Sequence, residues 1–390
     1  MELYILDDLL RRETLIDRFE SLIWTERFND DGDFQLSVIS NTAGRAFFKE
    51  GKKLAMNKSL RVMQIESVVD GISAEGEATL EIEGPSLEQL LDHRVARPVS
   101  TSIETDPTWD LAGPPAVVAR KIFDDIVRLG LLTPLDKIPF LKPGAYMPAS
   151  GIPEIPDPIL ISIEPKSVRA ALQELCKQWV MGYRLLRPDD SSSLYFDIYT
   201  GTDRTTGQTI YPSVVFSPGL DNLQNIKSVR TIEGTKNVAL VISKTGSLMV
   251  YPPDAATDID GFDRRVLVVV ANDIDSNNPD PIAAMTQLGR SELSKYRAFA
   301  AFDGEINPNS QYVYGRDYNL GDLVELQSGD GQANKMRVVE QIFAQDREGE
   351  RSYPTLALNT FVNTGSWLSY AAMKQWVDYE NDPITWSQLP

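Results

Sequence analysis

The sequence has very few of the residues that build metal sites and nucleophilic active sites. Its 390 residues include one histidine, His93, and one cysteine, Cys176. One of each is too few for the usual zinc sites, and a Ser-His-Asp or Cys-His centre would depend on His93 alone. A single cysteine also excludes an intrachain disulfide, and its place in a helical pattern predicts a small buried core residue. The sequence therefore predicts no cofactor and no metal.

Other function classes also lack their sequence signals. No phosphate-binding G-x-x-x-x-G-K-S/T loop occurs, and no G-x-G-x-x-G follows a strand pattern. The longest aliphatic run, Val266–Ala271, is too short to cross a bilayer, and the sequence starts with acidic residues where a signal peptide needs basic ones. We therefore expect a protein made in the cytosol, with no stable membrane insertion and no nucleotide-driven chemistry.

Basic residues are outnumbered by acidic ones. The chain carries 56 acidic and 38 basic residues, which gives a formal net charge of −18. A stable nucleic-acid interface needs clustered Lys and Arg, and the sequence has no such patch. We therefore expect no stable binding to DNA. The acidity fits either an anionic wall that repels passing phosphates or the ordinary charge of a soluble surface, and the sequence leaves both open.

Hydrophobic patterns divide the chain into β-rich blocks around one mixed segment. Short alternating runs separated by turns predict strands of barrels or sandwiches, whereas two helical patterns with eight prolines between Thr133 and Pro165 predict an α+β insertion. The predicted fold class is therefore mainly β with an α+β insertion. The predicted domains are a first β-barrel-like domain at 1–97, the insertion with its proline-rich loop at 98–218, a second β-rich domain at 219–362, and a C-terminal docking segment at 363–390.

The most informative segment is LEIEGPSLEQLLDHR, residues 80–94. Its first apolar residues alternate with glutamates at 81 and 83, which predicts a half-buried strand, and Gly-Pro ends that strand. Ser86 followed three residues later by Gln89 is typical of a capping box, and the leucines lie at helical spacing. The segment predicts a strand, a sharp turn and a short capped helix that closes the end of a β-structure.

Three further regions have similar short patterns. WTERFNDDGDFQLSV (24–38) predicts two strands joined by an acidic turn, and SVRAALQELCKQWVMGYRL (167–185) predicts a helix followed by a strand. NLGDLVEL (319–326) and KMRVVEQI (335–342) predict a late β-hairpin. Taken in order with residues 80–94, these regions span most of the chain. Together they resemble the hub, or tail-tip, minor tail proteins of long-tailed bacteriophages.

The resemblance implies a non-enzymatic structural protein of the virion. It implies a multi-domain hub built of β-barrel-like or sandwich-like tube domains, a homotrimer whose two such domains per subunit give a ring of six similar walls. That ring would cap the tail tube, join a distal tail protein ring to other tail-tip proteins, and contact the tape-measure protein in its lumen. It would open as a conduit for DNA ejection, so the resemblance implies contact with DNA only in transit. The implied location is the tail tip or baseplate, after assembly in the host cytoplasm, and the tail type stays open.

Other functions remain possible from the residues themselves. A cell-wall glycosidase needs only two carboxylates across a sugar bond, and exposed aromatics can stack on sugars in a host-surface carbohydrate-binding protein. Two acidic runs, Asn29-x-Asp31-x-Asp33 and Asp273-x-Asp275-x-Asn277, match the first three ligands of a calcium loop but lack its glycine and final glutamate. Asp and Asn are common in turns, so ordinary turns are the favoured interpretation.

Aromatic residues cluster at the C-terminal end of the sequence. Trp367, Tyr370, Trp376 and Trp386 all lie in the last 24 residues, and the spacing of the first two predicts a short helix. An apolar segment of this kind should not be left in water. We identify these four as partner-binding residues. Two alternatives stay open: docking on a neighbouring subunit or the next tail-tip protein, or packing as core of the same subunit.

Overall fold

A computed structural model describes most of the chain, and the described residues form two compact units. The first unit contains Met1–Lys177, Met181–Lys227 and Asp303–Leu356, and the second contains Gln178–Val180, Ser228–Phe302 and the end of the last strand from Ala357. The described residues are 1–40, 42–72, 78–98, 108–146, 159–188, 192–231, 234–252, 261–272, 274–275, 280–294, 296, 299–306, 312–327 and 333–358.

Strands outnumber helices in the part of the chain that the structure describes, which confirms the predicted mainly β fold. The strands are β1 (Leu3–Leu6), β2 (Arg12–Ile16), β3 (Ser21–Arg27), β4 (Asp33–Ile39), β5 (Lys53–Met56), β6 (Val62–Gln64), β7 (Ser67–Ile72), β8 (Ala78–Pro85), β9 (Val95–Ala96), β10 (Trp109–Gly113), β11 (Ile159–Ile163), β12 (Lys166–Ser167), β13 (Gly182–Leu186), β14 (Tyr195–Tyr199), β15 (Val215–Phe216), β16 (Leu223–Thr231), β17 (Val238–Ser243), β18 (Gly246–Val250), β19 (Val266–Ala271), β20 (Phe299–Ile306), β21 (Leu323–Gln327), β22 (Ala333–Asp346) and β23 (Gly349–Leu358). The α-helices are α1 (Thr42–Phe47), α2 (Pro115–Phe123), α3 (Val168–Trp179) and α4 (Pro281–Ser294).

The first unit is built on a sheet with the strand order β7-β8-β4-β3-β22-β23. β3 and β4 form the predicted antiparallel hairpin, in which Trp24 lies opposite Phe34 and Leu22 opposite Leu36. Because side chains alternate along a strand, these apolar residues share one face, while the residues between them, such as Gln35, share the other. The alternation seen in the sequence therefore decides which face is buried.

A second sheet, with the order β2-β1-β5-β6, covers that apolar face. Leu3 and Leu54 of this sheet join Trp24, Phe34 and Leu80 of the larger sheet in one buried core, and all five are at most 1% exposed. Two sheets around a shared core are typical of a sandwich. The apolar pattern of the sequence predicts a single strand at 61–69, where the structure has two, β6 and β7, and it predicts no strand at β2 or β5.

Apart from Gln178–Val180, the described part of the mixed segment also belongs to the first unit. α2 starts at Pro115, where its missing N–H costs nothing, and runs on as one π-helical turn over Asp124–Arg128. Phe123 of α2 stacks on Phe196 of β14 with ring centroids 3.8 Å apart. The described part of the proline-rich region includes a 3₁₀ turn at Pro134–Asp136. Residues 147–158 of the predicted loop lie outside the described residues.

The second unit contains a three-stranded sheet with the order β18-β17-β19, in which β17 and β19 run parallel. The helix α4 covers one face of this sheet, and its Met285 and Leu293 are buried with Val241, Val250 and Val269 in a separate core. The strands β16 and β20 carry the chain from the first unit into the second and back. The four-domain division of the sequence stays a prediction. No helix among the described residues has the length and apolar character needed to span a membrane.

Candidate functional site

The hairpin turn between β3 and β4 is held by the segment that follows β8. The Gly32 N–H donates to Ser86 Oγ at 2.9 Å, and the Ser86 N–H donates to the Gly32 carbonyl at 2.9 Å. A Cβ on Gly32 would lie 2.2 Å from the Thr25 carbonyl oxygen, so the close approach requires glycine. The predicted capping box is wrong, because Ser86 makes no side-chain cap bond to the 3₁₀ helix Leu87–His93 and its hydroxyl serves the turn instead.

The helix α3 binds the same turn from another side. Arg169 Nη1 lies 3.0 Å from Asp31 Oδ1 and donates a 2.5 Å hydrogen bond to Gln89 Oε1. Gln173 Nε2 donates to Asp30 Oδ1 at 2.5 Å. One helix therefore connects the turn with the 3₁₀ helix, and each connection joins residues that are far apart in the sequence.

The two aspartates of this turn differ in acidity. Burial, with the adjoining Asp30 carboxylate, raises the pKa of Asp31 to about 7. Burial also acts on Asp30, but hydrogen bonds from Asp31 and the charges of Arg169 and Lys177 keep the pKa of Asp30 below its ordinary value. Asp31 and Asp33 pair with arginines, and within the described residues no group of acidic, His or Cys side chains is placed to hold a metal ion. The second acidic run lies partly outside the described residues.

The late hairpin closes this region. β22 pairs with β3, and the Phe28 N–H donates to the Val339 carbonyl at 2.9 Å. The Tyr183 N–H donates to the Phe28 carbonyl at 3.2 Å. Gly321 has a φ of +86°, and a Cβ there would lie 2.5 Å from the Phe28 ring. Both the backbone conformation and the close packing therefore favour glycine at this position. All four regions that carry the family resemblance thus meet around residues 28–32, which we call the turn junction.

A buried charge cluster lies next to the turn junction. Arg61 is 2% exposed, with its Nη1 3.5 Å from Glu88 Oε1 and its Nε 3.9 Å from Glu26 Oε2. Arg61 Nη2 donates to the Arg27 carbonyl at 2.6 Å, and the Leu185 N–H donates to Glu88 Oε1 at 2.8 Å. Although burial alone would lower it, the two carboxylates hold the pKa of Arg61 above its ordinary value. The cluster connects β3, the 3₁₀ helix and β13 through charged groups shielded from water.

The face of the large sheet that points away from the small sheet carries several acidic residues. Gln35 lies opposite Glu83, and Ser37 lies opposite Glu81 and donates to its carboxylate at 2.7 Å. Asp33, Glu81, Glu83 and the adjacent Glu66 form what we call the acidic face. Within the described residues, Glu66 and Glu83 make no ion pair, so their charge is not neutralised locally.

A shallow pocket of about 420 Å³ lies in the acidic face, and its lining includes Asp33, Glu66 and Glu83 but neither a basic residue nor histidine. The lining also includes the hydroxyl of Ser67, so the polar groups of the pocket are three carboxylates, one hydroxyl and the amide of Gln35. The same sheet face also carries exposed aliphatic side chains, namely Ile39, Val69 and Ile23, which are 62%, 56% and 42% exposed. The acidic face is therefore an open surface of acidic and aliphatic side chains rather than a deep binding cleft.

The structure describes some of the residues that the sequence analysis identified, but not all of them. Trp367, Tyr370, Trp376 and Trp386 lie outside the described residues, so their partner-binding role stays a prediction. His93 is exposed at the end of its 3₁₀ helix, and Cys176 is buried in α3, where burial raises the pKa of its thiol. Sequence reasoning missed Arg61, because nothing in the sequence distinguishes a buried arginine from the exposed ones. The acidic face had a signal in the alternation of glutamates at 81 and 83.

Comparison with known proteins adds a family and a fold. A family model described as Siphovirus ReqiPepy6 Gp37-like protein matches residues 2–355. No curated protein matches the sequence. Among solved structures, a tail protein from Neisseria meningitidis MC58 aligns with a TM-score of 0.54 at 13% identity, over 92% of this chain and 97% of that one.

Two further solved structures have a similar fold. The 43 kDa tail protein of prophage MuSo2 from Shewanella oneidensis aligns with a TM-score of 0.54 at 14% identity, over 93% of this chain and 99% of that one. The prophage tail protein gp18 from Listeria monocytogenes EGD-e aligns with a TM-score of 0.51 at 11% identity, over 95% of this chain and 98% of that one. At such low identity these alignments show a shared fold, and they extend over nearly the whole length of each chain.

Proposed function

Because the chain belongs to the Siphovirus ReqiPepy6 Gp37-like family of bacteriophage tail proteins, we propose that it is the structural hub of a tail tip or baseplate. Three copies form a ring that caps the tail tube. The ring joins a distal tail protein ring to other tail-tip proteins and contacts the tape-measure protein in its lumen. It opens to let the tape-measure protein and then DNA pass.

The observation that carries this proposal is the acidic face in a chain with a tail-protein fold. Unpaired carboxylates on Glu66 and Glu83 repel phosphates within about 10 Å, the Debye length at 0.1 M salt. A sheet face with such charges lets DNA slide past without binding, which is what a conduit requires. We therefore assign the acidic face to the channel wall.

The turn junction has a mechanical role in the same proposal. It ties the sheet of the first unit to α3 and to the late hairpin, so a wall strand cannot shift without breaking buried hydrogen bonds. The work of the protein is to hold and open a channel, and no catalytic step is assigned to any of its residues. Its place of action is the virion, after assembly in the host cytoplasm.

A reconstruction of intact tails tests the stoichiometry. We expect three copies of this chain in one ring at the tip end of the tube, a mass of about 130 kDa from a subunit of 43.5 kDa. Six copies, or one, at that position would overturn the hub proposal. Isolated protein can be monomeric without contradicting it, since the ring is held partly by its neighbours.

Charge reversal tests the channel wall separately. Particles carrying Glu81→Lys and Glu83→Lys should assemble with the normal number of copies but release DNA more slowly, because the new ammonium groups attract the passing phosphates. Glu50→Lys is the control for charge reversal elsewhere on the surface, since Glu50 is an exposed acid outside the acidic face. If the double variant ejects DNA as fast as the control, the acidic face does not line the channel.

A further inference from the structure

The three-stranded sheet of the second unit has one apolar face without a covering element among the described residues. Val266, Val268 and Val270 of β19 are 37%, 58% and 63% exposed, and the neighbouring Ile242 of β17 is 40% exposed. Their alternate neighbours point to the opposite face, where α4 covers Val269. We call these four exposed residues the valine face.

The valine face is continuous across two strands. Ile242 lies beside Val270, and Leu240, which is half-buried, lies beside Val268 in the parallel pairing of β17 and β19. β19 is also an edge of this sheet in the part of the chain that the structure describes. An aliphatic face on an edge strand invites association, and folded proteins normally cover or charge such edges.

The C-terminal segment of the same chain could cover the valine face. The described residues end at Leu358, and Ala357 already belongs to the second unit. The remaining residues, 359–390, include three of the six tryptophans of the sequence. We propose that this C-terminal segment packs on the valine face of its own chain, with Trp367, Trp376 and Trp386 as its anchors.

The C-terminal segment is longer than the valine face is wide. From Leu358 to Trp367 an extended chain reaches about 30 Å. A three-stranded sheet is only about 15 Å wide at the usual strand spacing. A tethered segment also binds at an effective concentration on the order of millimolar, which favours its own subunit over a neighbour in dilute protein. Tryptophan offers a large apolar surface with few rotatable bonds, so it loses little entropy when it binds to an aliphatic face.

A contact quencher in the full-length chain tests the inference. We would attach bimane to Val268→Cys, because tryptophan quenches this dye only at contact range. The native Cys176 does not compete for the label, since it is buried and burial raises the pKa of its thiol. Ile282→Cys is the matched control, because Ile282 is 67% exposed on α4, on the opposite side of the sheet.

The expected result is a loss of bimane fluorescence at position 268 relative to position 282. The loss should be recovered when Trp367, Trp376 and Trp386 are replaced by phenylalanine. Trp24, Trp109 and Trp179 remain in both proteins, so the recovery reports on the C-terminal segment alone.

Two outcomes would overturn the inference. Equal fluorescence at the two positions, or quenching that survives the three replacements, means that the segment does not cover the valine face. Quenching that grows with protein concentration means that the segment of another copy is bound, which refutes packing within one chain. Neither outcome depends on how many copies form the ring.

Discussion

Replacing Arg61 by methionine should destabilise the first unit far more than removing an arginine from the surface. Methionine keeps most of the side-chain length but leaves Glu26 and Glu88, 5% and 0% exposed, without their shared cation. Breaking a buried ion pair by removing one partner costs about 3–5 kcal/mol, because the remaining charge stays buried without compensation. The Arg27 carbonyl also loses the 2.6 Å hydrogen bond from Arg61.

The matched control is Arg45→Met. Arg45 Nε lies 2.7 Å from Asp70 Oδ2, but the two side chains are 54% and 44% exposed. Exposed pairs of this kind contribute about 0.2–1 kcal/mol, since water screens both charges. Both arginines belong to the first unit, so the two variants report on the same unfolding event.

Urea denaturation of the full-length protein, followed by far-UV circular dichroism, measures the difference. We expect Arg61→Met to lower the free energy of unfolding of the first unit by about 3 kcal/mol more than Arg45→Met. Adding Glu88→Gln to Arg61→Met should recover part of the loss, because it removes one of the two unpaired charges. If the two single variants lose the same amount, the cluster is not held by charge and the reasoning fails.

Three further predictions concern the junction and the second unit. Gly289→Ala should lower the free energy of unfolding by about 1–3 kcal/mol, since its Cβ would lie 2.8 Å from two valine side chains of the sheet. Gly71→Ala, which has open space around it, should change the free energy of unfolding little in the same denaturation assay. Ser86→Ala should lower the free energy of unfolding by about 1–3 kcal/mol, because the buried Gly32 N–H loses its acceptor. If the replacement destabilises the protein no more than replacing an exposed serine by alanine does, the reciprocal hydrogen bonding between Ser86 and Gly32 is contradicted. Because burial raises the pKa of Asp31 to about 7 from 3.8, the native state holds a proton there that the unfolded chain releases, so native stability falls as pH rises between those values. Asp31→Asn should therefore gain stability relative to the native protein as pH rises through that range in the same denaturation assay, and a difference that stays constant with pH would count against the shift.

Local patterns predicted the strands whose alternation is complete within a few residues. The hairpin of β3 and β4 follows from alternating apolar residues around an acidic turn, and β8 follows from leucine and isoleucine alternating with glutamates. β2 and β5 were missed for a physical reason. RETLI in β2 is mostly exposed and KLAM in β5 is buried on both sides, so neither has the period of a half-buried strand.

The junction could not be predicted, because it depends on contacts between distant segments. Ser86 has the spacing of a helix cap, yet its hydroxyl bonds to Gly32, 54 residues earlier. Arg61 is buried because carboxylates from two other elements reach it. Likewise, the glutamate alternation predicts a strand with one polar face, but only the packing of the small sheet decides that this face stays open.

Because β3 pairs with β22, the first unit can finish folding only after nearly the whole chain has been synthesised. Arg27 of β3 donates to Glu340 of β22, 313 residues later in the chain, and β3 lies between β4 and β22 in the sheet. At a synthesis rate of about 5–20 residues per second, one edge of β3 stays unpaired for roughly 15–60 seconds on the ribosome. A chain that stops early keeps that edge open and lacks the late hairpin of the turn junction. A prematurely ended chain therefore cannot complete the sheet of the first unit.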